Sequence, residues 1–410
     1  MNNKRLMKVF SLFIIVALLA TAMPMNLAQA QTEPARSGAV KKAADRLVGL
    51  QNSDGGFPWI VGGGASLDNV LGIPAMGILK GYELDDKDSY EGALAKAYKY
   101  AYNNPTVDSF PDITFLLELA KAAGSDSSLL SAIQAQVSES TALSIATLAR
   151  TRWSARIAAA GGTATELAIS LRNYWHGGNY DAIIPWDLEA SVKAALALDA
   201  FFPGQDFDQQ AIDIANVLYN SIDDSTDTYF DSDDLTQVEY VVGLTGGIEA
   251  LSELNLHPEK VAELTAKLLE IQQPDGSWNV YPTTDGNQSV QSTAYAIMAL
   301  YKVGTPEALE AANRAAIWLV SKQKTDGGWI AASNDLQEYP EIDSEAAWAL
   351  SVLLINLDHT HIDENQNAGT VIGTLSALGE DLDESFTFAL ADGYPDNVNF
   401  TIDGNQLKSA

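Results

Sequence analysis

The chain has 410 residues, no cysteine and a formal net charge of −30 at pH 7. Without cysteine it has no disulfide and no thiolate metal site, so zinc is not expected. A charge this negative repels nucleic acid and anionic lipid, which excludes both as partners, and it keeps the chain soluble.

Residues 1–30 read as a secretory signal peptide. Lys4, Arg5 and Lys8 precede an apolar run from Phe10 to Ala20, and "AQA" (Ala28–Ala30) supplies the small-residue cleavage site. The mature protein is therefore expected outside the cell or at its surface. No second apolar run is long enough to span a bilayer.

The segment that follows is built from a recurring phrase, Gln-x-x-Asp-Gly-Gly/Ser-aromatic. It stands as Gln51, Asp54 and Phe57 in "QNSDGGF", as Gln272, Asp275 and Trp278 in "QQPDGSW", and as Gln323, Asp326 and Trp329 in "QKTDGGW". Each copy lies between two helical patterns. Before Gln272, Val261, Leu264, Leu268 and Leu269 fall on one face of an amphipathic helix, whereas "VQSTAYAIMALYKVG" (Val290–Gly304) is small and apolar all round. The unit is thus an outer helix with a wet face, a turn, and an inner buried helix. Asp-Gly-Gly suits the turn, because Gly accepts positive φ and Asp bonds the backbone beyond it.

Degenerate copies place further stations at Asn103, Asn173 and Asn220, so that six stations recur about every fifty residues. One longer gap holds an insertion from about Ser125 to Gly162. Inner helices are expected to begin near Leu67, Ile113, Leu188, Leu235, Val290 and Ser344. Six hairpins can close into a ring that leaves no unit with an unpartnered face. The expected fold is all-α over residues 39–357, an (α/α)6 toroid of six outer and six inner helices.

The three motifs, each followed by a "TAYAIMAL"-like helix, resemble the repeats shared by squalene–hopene cyclases and protein prenyltransferase β subunits. The resemblance implies the toroid and leaves the chemistry open. The zinc site of the prenyltransferases uses Asp, Cys and His; here there is no Cys, and the histidines are His176, His257, His359 and His361. The cyclases use an Asp-x-Asp-Asp acid whose middle Asp is kept protonated. "DSDD" supplies Asp231, Asp233 and Asp234 as candidate catalytic residues. Aligning "GIEAL" (Gly247–Leu251) with "AIMAL" (Ala296–Leu300) sets that run about two helical turns too early, and the neighbouring "DDSTD" (Asp223–Asp227) makes the loop a solvated or cation-seeking one. "DDSTD" also matches the Asp-rich Mg²⁺ signature of prenyl-diphosphate enzymes, with a turn as the competing reading.

A carbohydrate-active toroid would need paired carboxylates facing the cavity. Asp187 with Glu189, and Glu341 with Asp343, stand before inner helices, where helix caps and dipole partners are the ordinary explanation. Trp175, Tyr180, Trp186, Tyr240, Tyr295 and Trp348 are candidate cavity aromatics or core.

After Leu357 the pattern alternates in the manner of strands, through Val371, Thr374, Leu375, Phe386, Phe388 and Phe400. "ENQNAGTVIGTLSA", "DESFTFAL" and "FTIDGNQL" resemble the first half of a cadherin-like repeat, so residues 358–410 are expected to form a partial, truncated β module. The resemblance implies Ca²⁺ ligands at Glu364 and Asp381, with one carboxylate missing where Gly379 stands, and Asp383 or Glu384 as its substitutes through a slip of one or two residues. The expectation from all this is a secreted or surface protein whose toroid binds an extracellular ligand or partner. The alternatives are a class II terpene-cyclase-like enzyme and a carbohydrate-active lyase or hydrolase.

Overall fold

The computed structural model describes residues 32–84, 87–176, 184–223, 241–280, 286–352, 354–357, 367–378, 388, 390 and 399–410. Within them the chain separates into two compact units, one spanning Ala35–Ser351 and the other holding Val352–Ala410 with the N-terminal residues.

The first unit is mostly helical. Its helices are α1 (Thr32–Leu50), α2 (Gly72–Glu83), α3 (Lys87–Asn103), α4 (Phe110–Ser125), α5 (Ser127–Gln136), α6 (Ala142–Ala160) and α7 (Ala164–His176). They continue with α8 (Ile184–Phe201), α9 (Phe207–Asp223), α10 (Val241–Glu253), α11 (Pro258–Glu270), α12 (Val290–Val303), α13 (Pro306–Lys322) and α14 (Pro340–Ser351). Helices α2, α4, α8, α10, α12 and α14 pack each against the next in that order, and α14 packs back on α2. The result is a toroid-like ring of inner helices with the others outside it. The insertion expected near Ser125–Gly162 is helical: α5 and α6 lie against α4, and α6 also meets α7.

The division into inner and outer helices follows from composition. In α12 every residue from Ser292 to Leu300 is buried, whereas α11 buries Leu264, Thr265 and Leu268 and turns its charged residues outward. Helix ends are set locally. Ser289 caps α12 by accepting from the Ser292 N–H, and Gly304 ends it in the left-handed conformation. Ser109 and Asp112 form a reciprocal capping box at the start of α4.

The repeated motif joins neighbouring outer helices. The Gln51 side-chain amide donates to the carbonyls of Gly55 and Ala93, both at 3.0 Å. Gln272 does the same to Gly276 and Ala311, both at 2.9 Å. Gln323 donates to Gly327 at 2.9 Å and to Ala39 at 2.8 Å, so the last copy reaches the first helix and closes the outer layer. Glycine is required at the turn: Gly55, Gly276 and Gly327 have φ of 99°, 96° and 98°. A Cβ there would stand 2.1 Å from the carbonyl oxygen of Lys96, 2.6 Å from that of Arg314 and 2.1 Å from that of Lys42. Phe57, Trp278 and Trp329 are fully buried, and the two indoles donate to the Leu268 and Leu319 carbonyls at 2.8 and 2.9 Å. At the degenerate stations Asn103, Asn173 and Asn220 are exposed.

The second unit holds a four-stranded antiparallel sheet of β3 (Leu354–Leu357), β4 (Val371–Leu378), β5 (Phe400–Asp403) and β6 (Gln406–Ser409) in the order β3-β4-β6-β5. Two short strands, β1 (Trp278–Asn279) and β2 (Gln288–Ser289), belong to the helical unit. Strand β4 contains Val371, Thr374 and Leu375, β5 contains Phe400, Phe388 is described outside any strand, and Phe386 lies outside the described residues. Among the described residues no helix is long and apolar enough to cross a membrane.

Candidate functional site

A cavity lies at the centre of the ring, lined from five inner helices. Ile73 and Met76 come from α2, Thr114 from α4, Glu189 and Lys193 from α8, Tyr295 and Met298 from α12, and Trp348 from α14. It is partly open, and its interior volume is about 30 Å³. The lining is apolar and aromatic except for a few polar groups, as in a small-ligand site.

Those polar groups fall on two walls. On the first, the Lys193 ammonium pairs with Glu189 one helical turn earlier, at 2.9 Å, and with Glu249 from α10. Glu189 is 3% exposed and Glu249 1%, so both carboxylates are buried while Lys193 is partly exposed. The Lys193 Nζ stands 5.5 Å from the centroid of the Trp348 ring on α14. The sixth inner helix, α10, contributes Glu249 to this triad without lining the cavity.

On the second wall, the Tyr295 hydroxyl donates to Glu345 Oε1 at 2.8 Å, and the Gln291 amide donates to the same oxygen at 3.2 Å. Glu345 is 1% exposed, and its Oε2 has no hydrogen-bond partner among the described residues. Burial pushes its carboxyl well above the usual range and the neighbouring Glu341 pushes it further, while the two hydrogen bonds oppose the shift only in part. Glu341 itself is pushed up to about 7 by burial. Burial and the adjoining carboxyls also raise the Tyr295 phenol well above its ordinary value. Burial on this wall thus favours the protonated form of both carboxyls.

Of the carboxylates marked in the sequence, Glu189 lines the cavity and Glu341 lies one turn before Glu345, on the same face of α14. Asp187 sits partly exposed in the first turn of α8, the place of a dipole partner. Asp343 is a structural tie: its Oδ1 accepts from the Trp329 backbone N–H at 2.7 Å. Burial pushes this carboxyl up to about 8, against the effect of that bond. The nine motif residues, from Gln51 to Trp329, build the seams described above and take no part in the cavity lining.

Tyr295 and Trp348 are the cavity aromatics. Tyr180 and Tyr240 lie outside the described residues, as do the side chains of Trp175 and Trp186. Asp231, Asp233 and Asp234 also lie outside them, as do Glu364, Asp381 and Asp383. His257 stacks on Tyr219 with ring centroids 3.4 Å apart, at the start of α11. Among the described residues no group of three or more His, Asp or Glu is arranged to hold a metal ion.

Lys193, Glu249 and Glu345 were not marked by sequence reasoning. A signal existed: each is a charged residue within an inner helix whose residues are mostly buried, where a charge needs a partner or a proton.

A family model described as the squalene–hopene cyclase C-terminal domain matches residues 213–388, a stretch that takes in α10, α12 and α14. No curated protein sequence matches the chain. Among solved structures, the type II terpene cyclase MstE from Scytonema, in complex with its product merosterolic acid A, is similar at 15% identity and a TM-score of 0.46. The match covers 78% of this chain and 97% of that one. An unsaturated glucuronyl hydrolase from Bacillus sp. GL1, responsible for glycosaminoglycan degradation, is similar at 13% identity and a TM-score of 0.48, covering 78% of this chain and 96% of that one.

Proposed function

We propose that the helical ring is an acid-catalyst domain that takes an apolar, alkene-bearing ligand of the isoprenoid class into its central cavity, in a manner similar to a type II terpene cyclase. The observation that carries the reading is Glu345, a carboxyl buried to 1% exposure and bonded to Tyr295, which lines the cavity. A buried carboxyl without a cation keeps its proton and can give it up only to something that enters the ring. Ile73, Met76 and Met298 offer that ligand an apolar bed. The match of residues 213–388 to the cyclase model supports the same reading, since it includes Tyr295, Glu345 and Trp348.

In this reading the ring is an (α/α)6 toroid of six hairpins, with α5 and α6 as its insertion. Asp231, Asp233 and Asp234 are further candidates for the acid. The ring is carried outside the cell beside a cadherin-like module, where Glu364, Asp381 and Asp383 offer oxygen ligands to Ca²⁺.

The test is to incubate the purified chain with squalene and with geranylgeraniol and to separate the products by gas chromatography with mass detection. The expected product is a cyclic isomer of unchanged mass. Glu345→Gln lowers its yield by roughly a hundredfold or more, the usual effect of removing a general acid. If Asp233→Asn abolishes the product and Glu345→Gln spares it, the acid belongs to the Asp run. No product from either polyprene sinks the reading, and turnover of an unsaturated uronide in its place assigns the ring to carbohydrate chemistry.

A further inference from the structure

Resting on the reading that the central cavity takes a polyprene, we infer that the ring opens to admit it on one side, by a swing of α9 and α10 away from α12. The interior volume of about 30 Å³ holds about two water molecules and no polyprene, so inner helices must part before a ligand enters. Where they part depends on how each seam is fastened, and the seams are not alike. In the outer layer the glutamine joints run from α11 to α13 at Gln272, from α13 to α1 at Gln323 and from α1 to α3 at Gln51. The corresponding stations on either side of α9 are Asn173 and Asn220, which lie inside α7 and α9 with exposed side chains.

The inner layer repeats the division. Helix α14 is fastened to α2 by the Ser344 hydroxyl, which donates to the Ile73 carbonyl, and to α12 by the bond from Tyr295 to Glu345. Helix α2 is fastened to α4 by the Gly72 N–H, which donates to Asp112 at 2.7 Å. Gly77 and Gly81 of α2 let its neighbours close up: a Cβ would stand 2.5 Å from Ser344 Oγ and 2.3 Å from the Ala44 Cβ. Helix α10 is held by ion pairs, Glu249 with Lys193 of α8 and Glu253 with Lys302 of α12, the latter at 2.7 Å. The two lysine side chains are 14% and 20% exposed. Such pairs recover their desolvation cost when water reaches them, and salt weakens them. A Cβ at Gly247 of α10 would meet the flexible Cδ1 ends of Ile222 and Leu264 at 3.1 and 3.2 Å, where the α2 glycines face closer and stiffer atoms. The Val241 N–H donates to the Val280 carbonyl at 3.2 Å and holds the start of α10. The half that carries Glu249 and Glu253 is therefore the half that swings.

The experiment has two arms on the full chain. The first is hydrogen exchange of the ligand-free protein, read peptide by peptide. Amides of α9 and α10 are expected to exchange at least about tenfold faster than those of α12 and α14, through a partial opening that leaves the rest of the ring folded. Glu253→Gln, or salt at about 1 M, should speed α10 about threefold further and leave α2 and α14 unchanged. An α10 that exchanges in step with α12 and α14, or that Glu253→Gln leaves unmoved, overturns the inference. The second arm uses the absence of cysteine: Glu253→Cys and Lys302→Cys are bridged with a bismaleimide, which fastens α10 to α12. The bridged chain is expected to turn geranylgeraniol over at least about tenfold more slowly than the same double variant left unbridged. Equal rates overturn the inference with the acid-catalyst reading intact. A wild type that makes no cyclised product overturns that reading instead, while the exchange arm still decides whether the ring opens at α9 and α10.

Discussion

A carboxyl placed inside a helical ring keeps its proton unless a cation stands beside it. Three buried carboxyls of this chain obey that rule to different degrees: Asp112 is pushed up to about 6, Glu341 to about 7 and Asp343 to about 8, in each case chiefly by burial. Each binds its proton more tightly folded than unfolded, where carboxyls titrate near about 4. The stability they contribute is therefore full below about pH 4 and is lost as pH rises through about 6 to 8. Asp275 and Asp326 act in the opposite sense. Their hydrogen bonds and ion pairs lower their affinity for protons despite some desolvation, and what they contribute is lost in acid. Melting temperature is thus expected to decline from pH 5 to pH 9. Asp343→Asn, which keeps an oxygen for the Trp329 N–H, should flatten that decline in scanning calorimetry. Parallel wild-type and variant curves across this range would show that Asp343 does not titrate there. None of the three shifts was legible in the sequence, because a pKa depends on which atoms surround the group, and those come from helices far apart in the chain.

At the scale of the element, the Gln-x-x-Asp-Gly turn works as a joint of two parts. The glutamine amide spans two carbonyls, one in its own turn and one in the next outer helix, while the glycine lets that helix approach. Removing the amide with Gln323→Ala forfeits two hydrogen bonds, a loss of roughly 1–3 kcal/mol. Gly327→Ala should cost more, about 3 kcal/mol or above, since it forces both an L residue to φ of 98° and a methyl group onto the Lys42 carbonyl. Urea unfolding of the two variants checks the order, and a Gly327→Ala protein as stable as Gln323→Ala would contradict the close approach. The joint was legible because its parts lie within seven residues and recur. The degenerate stations were legible only as positions: Asn103 is exposed, and the neighbouring Asn104 turns its amide back to the Tyr100 carbonyl at 2.8 Å. A shorter or differently placed amide does not make the two-carbonyl span.

At the scale of the whole molecule, a ring and a small sheet form separate compact units, so two unfolding transitions are expected where a single domain would give one. If the tail binds Ca²⁺ through Glu364, Asp381 and Asp383, millimolar Ca²⁺ should raise the transition of the sheet unit by a few degrees and leave that of the ring in place, an ordinary mass-action effect. Calorimetry of the full-length protein with and without chelator distinguishes the cases, and an unmoved lower transition removes calcium from the account. Closure of the ring has its own signature. Gly77 on α2 lies so close to α14 that a Cβ would meet Ser344 Oγ at 2.5 Å. Sequence separation hides that contact, since the two residues come from opposite ends of the helical segment.

Local chemistry was enough to mark the outer and inner helices, the joints between them, the place of the insertion and the change to strands after the ring. Periodicity, turn glycines and side-chain volume act over a few residues, and a single chain displays them. The cavity was different. Lys193, Glu189 and Glu249 become a triad, and Glu345 becomes a buried carboxyl bonded to Tyr295, only when α8, α10, α12 and α14 come round to one centre. Charge pairing and desolvation depend on distance in space, and the closing of the ring sets those distances.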